Sequence, residues 1–296
     1  MPELPEVHTT VVGLDAVLPG LEVTAVWSDW PRQIKSHGFE DFSELIIGKK
    51  FLSASRQAKN VLLHLSGGLT LRVHMKMTGH LMYGQWEEMP KGHKPHWQGV
   101  THGAFDDPYN QYIHFMLTLS DSYQLALSDL RKFARIELLK TDTLSEHEIF
   151  STFGPDVFDP ELTSKIFFER LQKRPRAPIE VALMDQTIIA GIGHIYADET
   201  LWDAGILPTR SAKDITPREA GTILRSVRKI MTKSIGVGGD SKSDYRNIYG
   251  ERGGFHQYHM AYHMHGTACT KRGCNGIIQR IKLGSRSAHF CPEHQH

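Results

Sequence analysis

Hydrophobic periodicity changes once along these 296 residues, and that change constrains the fold more than any other feature. Up to about residue 140, apolar and polar side chains alternate. Leu69, Leu71, Val73 and Met75 interleave with Thr70, Arg72, His74 and Lys76, and Ile113, Phe115, Leu117 and Leu119 repeat the pattern. A period of two turns one face toward a core and predicts half-buried antiparallel strands, here after a short N-terminal helix. Beyond about Asp159 the spacing becomes helical. Pro178 suits the first position of a helix that continues through Ile179 to Met184. Gly191-Ile192-Gly193 interrupts the chain before a second helix, His194 to Ala204, which Gly205 closes. Thr216-Pro217-Arg218-Glu219 is a capping box heading a long amphipathic run to Gly236. The chain therefore reads as a multidomain α+β protein. An antiparallel β-sandwich with flanking helices spans 1–145, a helical domain spans 146–254, and a small Gly- and Cys-containing module spans 255–296. Gln85 to Asn110, rich in Gly, Pro, His and acidic residues, reads as a long surface loop.

Composition excludes some classes and leaves others open. Hydrophobic content of 40% with 23% charged residues describes a soluble globular chain with a real core. No apolar run approaches the ~18 residues of a membrane span, and the N-terminus lacks the pattern of a secretory signal. Membrane attachment is not expected, and a cytoplasmic location is. The net charge of +1 hides an asymmetry. From Asp203 onward 15 Lys and Arg face 7 Asp and Glu, a local balance of +8, while the first 202 residues carry −7. A basic C-terminal third suits a polyanionic partner.

All 3 cysteines fall in the last thirty residues, too few and too close for a disulfide framework. Cys269-x4-Cys274-x16-Cys291-x2-His294 has the spacing of one tetrahedral zinc site, with His289 and His296 as competing ligands. Ile277 to Ile281 and Ser287 to Phe290 suit the arms of a β-hairpin around Gly284. So short a tail buries little core, and a bound metal would help it fold.

The chain opens Met1-Pro2-Glu3-Leu4-Pro5-Glu6-Val7. Removal of Met1 would leave Pro2 as a secondary amine. Such a group titrates near pH 8 in model peptides, so roughly a tenth to a third is neutral near pH 7.5. A neutral amine attacks an aldehyde-like carbon and forms an iminium. Glu3 adjoins this nucleophile and Glu6 follows one turn later, placing proton donors and acceptors beside it.

This start resembles the formamidopyrimidine-DNA glycosylase and endonuclease VIII family of base-excision repair enzymes. Leu4-Pro5 resembles the former branch, since the latter commonly carries Gly-Pro there. The resemblance runs from Pro2 to Gln295, with its motifs in family order. Gln186 to Glu199 looks like the family's helix–two-turn–helix element. Gly193 would start its second helix and offer backbone N–H groups to a DNA phosphate, with His194 beside it where asparagine is usual. Arg56 to Leu63 resembles the hairpin Arg-x-Gly-Lys-Tyr-Leu-Leu, which matches Lys59 to a lysine contacting the DNA backbone near the lesion. Extruding a base leaves a hole in the duplex. The resemblance assigns Met77, Arg131 and Phe133 to fill it, two replacing lost stacking while the guanidinium bonds the orphaned base. Gly284-Ser285-Arg286-Ser287 is similar to the family's Gly-Arg-Ser-Thr tip, from which Arg286 would grip a phosphate flanking the damaged nucleotide. Gly236 to Asn247 falls where the family has a flexible lesion-sensing loop. Three departures stand out. His294 replaces a fourth cysteine in the finger, His194 replaces asparagine, and Glu180 stands where a phosphate-contacting lysine is frequent.

The resemblance implies a bifunctional DNA glycosylase and abasic-site lyase acting on oxidised purines, 8-oxoguanine and formamidopyrimidines, in duplex DNA. Pro2 would attack C1′ and displace the base, and β,δ-elimination would follow. Glu3 would be the general acid/base, Lys59 and Arg286 would complete the catalytic set, and Glu6 would support the geometry of the DNA-binding site. One structural zinc ion, damaged double-stranded DNA as partner and a monomeric state are implied. Two alternatives stand beside this reading: an endonuclease VIII-like preference for oxidised pyrimidines and, more remotely, a non-catalytic DNA-binding zinc protein.

Overall fold

Period-two patterning becomes two four-stranded antiparallel sheets in the computed structural model, which describes residues 2–90, 92, 96–284 and 286–296. Met1 and Ser285, which belong to motifs singled out above, lie outside the described residues. Helix α1 (Leu4–Val17) leads to β1 (Val23–Trp27), α2 (Phe39–Ile46), β2 (Phe51–Gln57), β3 (Asn60–Leu65), β4 (Leu69–His74) and β5 (His80–Gly84). A small hairpin, β6 (Trp86–Glu88) and β7 (Trp97–Gly99), precedes β8 (Ile113–Leu119), β9 (Gln124–Ser128), β10 (Arg135–Lys140) and α3 (Glu148–Ser151). One sheet runs β1-β8-β9-β5 and the other β10-β4-β3-β2. Their inner faces share one core, with Val23, Phe115 and Leu127 from the first meeting Phe51, Val61, Leu71 and Ile136 from the second. Val7, Val11 and Leu14 of α1 close it. Each such side chain stabilises the fold by about 1.5–3 kcal/mol.

The described residues between Gln85 and Asn110 pack more closely than their polar composition suggests. Trp97 and Phe105 pack with Trp27 against Met82, Trp86, Ile113, Met116 and Ala126, a small second core on the β1-β8-β9-β5 sheet. A Cβ at Gly84 or Gly99 would come within 2.7 or 2.9 Å of Phe105, so glycine is what lets this ring seat. Trp86, Trp97 and Phe105 supply the apolar area that seats the described part of this polar stretch on the sheet.

Val237–Gly254 groups with residues 1–151 by its contacts, while Phe255–His296 groups with 152–236. Hydrogen bonding explains the first grouping. Arg246, with no exposed surface, donates twice to Asp107, at 2.9 and 2.8 Å, and also to the carbonyls of Ser243 and Tyr245. Tyr83 N donates to Ile248 O at 2.7 Å. The segment expected to be flexible is therefore bonded along its length.

The second unit contains α4 (Ser164–Leu171), α5 (Ile179–Met184), α6 (His194–Ala204), α7 (Pro217–Gly236) and the hairpin β11 (Gln279–Leu283)–β12 (Arg286–Phe290). Its caps follow the local chemistry. Gly205 ends α6 at φ +73°, in the left-handed region. Thr216 N donates to Glu219 Oε2 at 2.8 Å and Glu219 N to Thr216 Oγ1 at 3.3 Å, completing the capping box of α7. Arg228 fastens α7 to the carbonyls of Val157, Asp159 and Leu162.

Glu180 on α5 has no exposed surface, and among the described residues neither of its carboxylate oxygens has a hydrogen-bond partner. Burial pushes its pKa up and the Asp198 carboxylate adds to the rise. It cannot act as a surface phosphate contact.

These buried charges carry two testable consequences. Burial alone would raise the Asp107 pKa, but hydrogen bonds from Arg246, the Tyr109 N–H and Arg252 outweigh it and hold the carboxyl low. Its stabilisation is present above the unfolded carboxylate pKa, about 4, and is lost as pH falls through the folded value. Asp107→Asn should cost about 3 kcal/mol in denaturant unfolding at neutral pH and flatten the acid limb of stability; a change under about 1 kcal/mol would contradict this. Glu180 has the opposite sign. The folded chain keeps a proton that the unfolded chain releases above about pH 4.3, so stability declines as pH rises between the two pKa values. Glu180→Gln should raise the melting temperature near about pH 8 and change it little near about pH 5; equal shifts would sink the assignment.

Candidate active site and metal centre

Pro2, Glu3 and Glu6 are all buried at the head of α1. Glu3 is the N-cap residue, and its N–H donates to Glu6 Oε2 at 2.8 Å. Glu6 Oε1 accepts from the backbone N–H of Asp240 at 2.7 Å. Tyr245 Oη and Thr10 Oγ1 both donate to the Glu6 carbonyl, at 3.0 Å each. Glu6 thus spends one oxygen on the residue after Pro2 and the other on the Val237–Gly254 segment. It supports geometry and does not present a carboxylate at the surface. Gly239 makes that contact possible. It sits at φ +87°, and a Cβ there would be 3.1 Å from Glu6 Oε1.

Lys59 lies in the two-residue turn between β2 and β3, where Gln57 pairs with Asn60. Ala58 before it has φ +53°, a left-handed position that explains the family's glycine there. Lys59 is largely buried, and behind it Arg72 Nε donates to Asn60 Oδ1 at 2.9 Å while Arg72 pairs with Glu137. His74 belongs to the same cationic neighbourhood. Burial, then Lys76, Arg72 and Lys59, hold its pKa at about 3, so the ring is neutral at physiological pH. Its Nδ1 accepts from Lys76 N at 3.0 Å, which puts the proton on Nε2 as a donor. Sequence reasoning does not single out His74. It stands in the run His74-Met75-Lys76-Met77, but only burial beside three cations distinguishes it.

Met77, Arg131 and Phe133 come together although they lie on two loops. Arg131 Nη1 approaches Met77 Sδ at 3.6 Å, and its guanidinium carbon lies 4.5 Å from the centre of the Phe133 ring. Asp129, fully buried, organises them. It accepts from Thr78 Oγ1, from Arg131 N at 3.2 Å and from Ala134 N at 2.7 Å, while Thr78 Oγ1 accepts from Arg131 N at 3.1 Å. Phe133 remains 48% exposed, an apolar ring left in water on the loop that Asp129 ties down.

In the second unit Gly193 caps α6 and His194 is its first residue. Gln186 ties the preceding turn: its Oε1 accepts from Gly191 N at 2.9 Å and its Nε2 donates to the carbonyls of Ile192 and Met184 at 2.8 and 2.9 Å. The first N–H groups of any α-helix point out of its end, which gives such an end its affinity for anions. His194 Nε2 and Tyr262 Oη are 3.0 Å apart, so this histidine is braced by the finger segment.

Cys269, Cys274, Cys291 and His294 place four ligand atoms within 4.8 Å of one another. Cys269 Sγ is 3.3 Å from His294 Nδ1, and Cys274 Sγ is 3.5 Å from Cys291 Sγ, close to the edges of a tetrahedron with about 2.3 Å Zn–S and 2.0 Å Zn–N bonds. His294 Nε2 donates to Trp202 O at 3.0 Å, which fixes the tautomer that turns the Nδ1 lone pair toward the three sulfurs. His289 is committed elsewhere, donating from Nδ1 to Asp198 at 2.7 Å, and His296 lies outside the cluster. Arg286 opens β12 opposite Leu283 and, with Arg280 and Lys282, lines an open basic groove.

The formamidopyrimidine-DNA glycosylase N-terminal domain model matches residues 1–136, and the H2TH domain model of the same enzyme matches 153–246. The formamidopyrimidine-DNA glycosylase of Pelotomaculum thermopropionicum is 36% identical over 99% of this chain and 98% of its own length. That of Streptococcus pneumoniae is 31% identical over 100% and 99%. Among solved structures, Lactococcus lactis Fpg with abasic-site DNA superposes with a TM-score of 0.84 at 27% identity, covering 100% of both chains. The same enzyme with DNA containing an oxidised pyrimidine gives 0.83, at 27% identity and 98% coverage of each chain. Matches to both domain models and identity above 30% along essentially the whole length establish that the chain belongs to the formamidopyrimidine-DNA glycosylase family.

Proposed function

We propose that this chain is a DNA glycosylase and abasic-site lyase of base-excision repair, with Pro2 as nucleophile and oxidised purines in duplex DNA as substrates. The observation that carries the reading is the locked N-terminus. Glu6 bonds the Glu3 N–H and the Asp240 N–H together, so Pro2 and Glu3 are held in one arrangement. Positioning of this kind lowers the cost of bringing nucleophile and carbon together. With Met1 removed, the Pro2 nitrogen lone pair attacks C1′ and the glycosidic C1′–N bond breaks, its electron pair leaving with the base. Glu3 takes the proton that the attached amine sheds and delivers it to the sugar ring oxygen as the C1′–O bond breaks to give the iminium. Abstraction of the C2′ proton then eliminates the 3′ phosphate, and δ-elimination of the 5′ phosphate follows.

Lys59 and Arg286 hold phosphates of the damaged strand, and Gly193 with His194 offers the α6 terminus to another. Met77, Arg131 and Phe133 occupy the space of the extruded nucleotide; their assembly on Asp129 supports the role. The residues of the finger fit zinc, which would supply folding free energy and a fixed platform for Arg286, and would take no part in bond making. Relatives named formamidopyrimidine-DNA glycosylase, at 36% and 31% identity, favour this reading over the endonuclease VIII-like alternative, and the intact Pro2, Glu3 and Lys59 favour it over the non-catalytic one.

Borohydride trapping on a duplex carrying 8-oxoguanine should give a covalent adduct with wild type and at least about tenfold less with Pro2→Gly. Equal trapping by both would move the nucleophile to an internal lysine, and stronger cleavage of a thymine glycol duplex would favour the pyrimidine alternative. Elemental analysis should find about one zinc per chain. Chelation that removes it should weaken DNA binding by about tenfold or more; undiminished affinity in metal-free protein would refute the finger assignment.

A further inference from the structure

An open groove of about 430 Å³ lies on the first unit, with Phe133 in its wall and Arg32, Lys35, Lys76, Lys132 and Arg135 around it. Its lining contains no carboxylate. Among the described residues only Lys132 of these five forms an ion pair, with Asp29 at 3.9 Å, and Asp29 also accepts from His114 at 2.8 Å. The crowding is unfavourable by itself. Burial, then Arg135 and Arg72, push the Lys76 pKa below the ordinary lysine range. Lys76 and Lys132 also stand at φ +55° and +56°, backbone positions that side chains rarely take.

The groove is nonetheless built to stay in place. Gln33 Nε2 donates to His114 O on β8 at 2.8 Å, and Lys35 N donates to Ile136 O on β10 at 2.8 Å. The turn carrying Arg32 and Lys35 is thus fastened to both sheets of the sandwich. The Trp30 ring holds two of the cations, with the Arg32 guanidinium carbon 5.4 Å and Lys132 Nζ 4.9 Å from its centre.

Five cations sharing a single long ion pair, fixed along one groove, suit consecutive phosphates of a polyanionic strand better than one small anion. The wall residue Phe133 stacks with Arg131, which in the reading above meets the base left without its partner. A strand that continues from that base into the groove is the one opposite the lesion. We infer that this groove is a subsite for the backbone of the undamaged strand, separate from Lys59 and Arg286. The inference rests on the glycosylase reading.

The test uses the full-length protein and a duplex with a tetrahydrofuran abasic analogue. The variants are Arg32→Ala/Lys35→Ala, both exposed, and Lys76→Gly, which relieves a positive φ and should fold at least as well. Binding should weaken about tenfold in each, and the slope of log affinity against log salt should fall by about one for every phosphate the variant no longer neutralises. Methylphosphonate linkages in the undamaged strand should weaken wild type and leave the double variant unchanged. Undiminished affinity in the variants would overturn the inference. So would a deficit that vanishes only when the lesion strand carries the neutral linkages. Borohydride trapping of wild type on an unmodified 8-oxoguanine duplex is scored separately. If trapping succeeds while the groove variants bind normally, the subsite is wrong and the glycosylase reading stands.

Discussion

The two-ended hydrogen bonding of Glu6 is the constraint from which the first unit's chemistry follows. One carboxylate oxygen accepts from the residue after Pro2, and the other accepts from Asp240, 234 positions away in sequence. A buried carboxylate is costly unless its oxygens find donors, and here two backbone N–H groups supply them. The same contacts that satisfy this charge fix the start of α1 and dock the Val237–Gly254 segment. Placement of the residues beside Pro2 and placement of this segment are one event.

A similar economy governs Met77, Arg131 and Phe133. Asp129 is fully buried, and its oxygens collect Thr78 Oγ1, Arg131 N and Ala134 N and so bring two loops into register. Met77, Arg131 and Phe133 are thereby held together, which under the proposed function would lower the entropic cost of entering a duplex. In the second unit Glu199 plays the matching part, accepting from the N–H groups of Met260, Ala261 and Tyr262 to anchor the start of the finger on α6. Buried carboxylates satisfied by backbone donors recur as the device that holds functional loops.

Glu180 is the exception. It is a buried acid without such donors among the described residues, beside Asp198, whose carboxylate is engaged by His289. The position is part of the packing between α5 and α6. Under the proposed function, phosphate contacts of this unit come from the α6 terminus and the finger.

Most of the secondary structure and the chemistry-bearing motifs are legible in the residues alone. Alternating apolar positions mark the sheets, Gly205 and the Thr216–Glu219 box mark helix ends, and ligand spacing marks Cys269, Cys274, Cys291 and His294. These signals are local: a strand face, a cap or a metal knuckle is decided within a few residues of chain. Glu6 as a strut, Asp129 as an organiser, neutral His74 and the burial of Glu180 are not legible in that way. Each depends on groups far apart in sequence that meet only when sheets and helices pack, as does the seating of Trp86, Trp97 and Phe105. Residue order was enough to set the elements, their caps and the reactive groups. Packing settled which polar groups are dehydrated and which donors reach them, because burial and partner geometry are properties of the folded chain and not of any local segment.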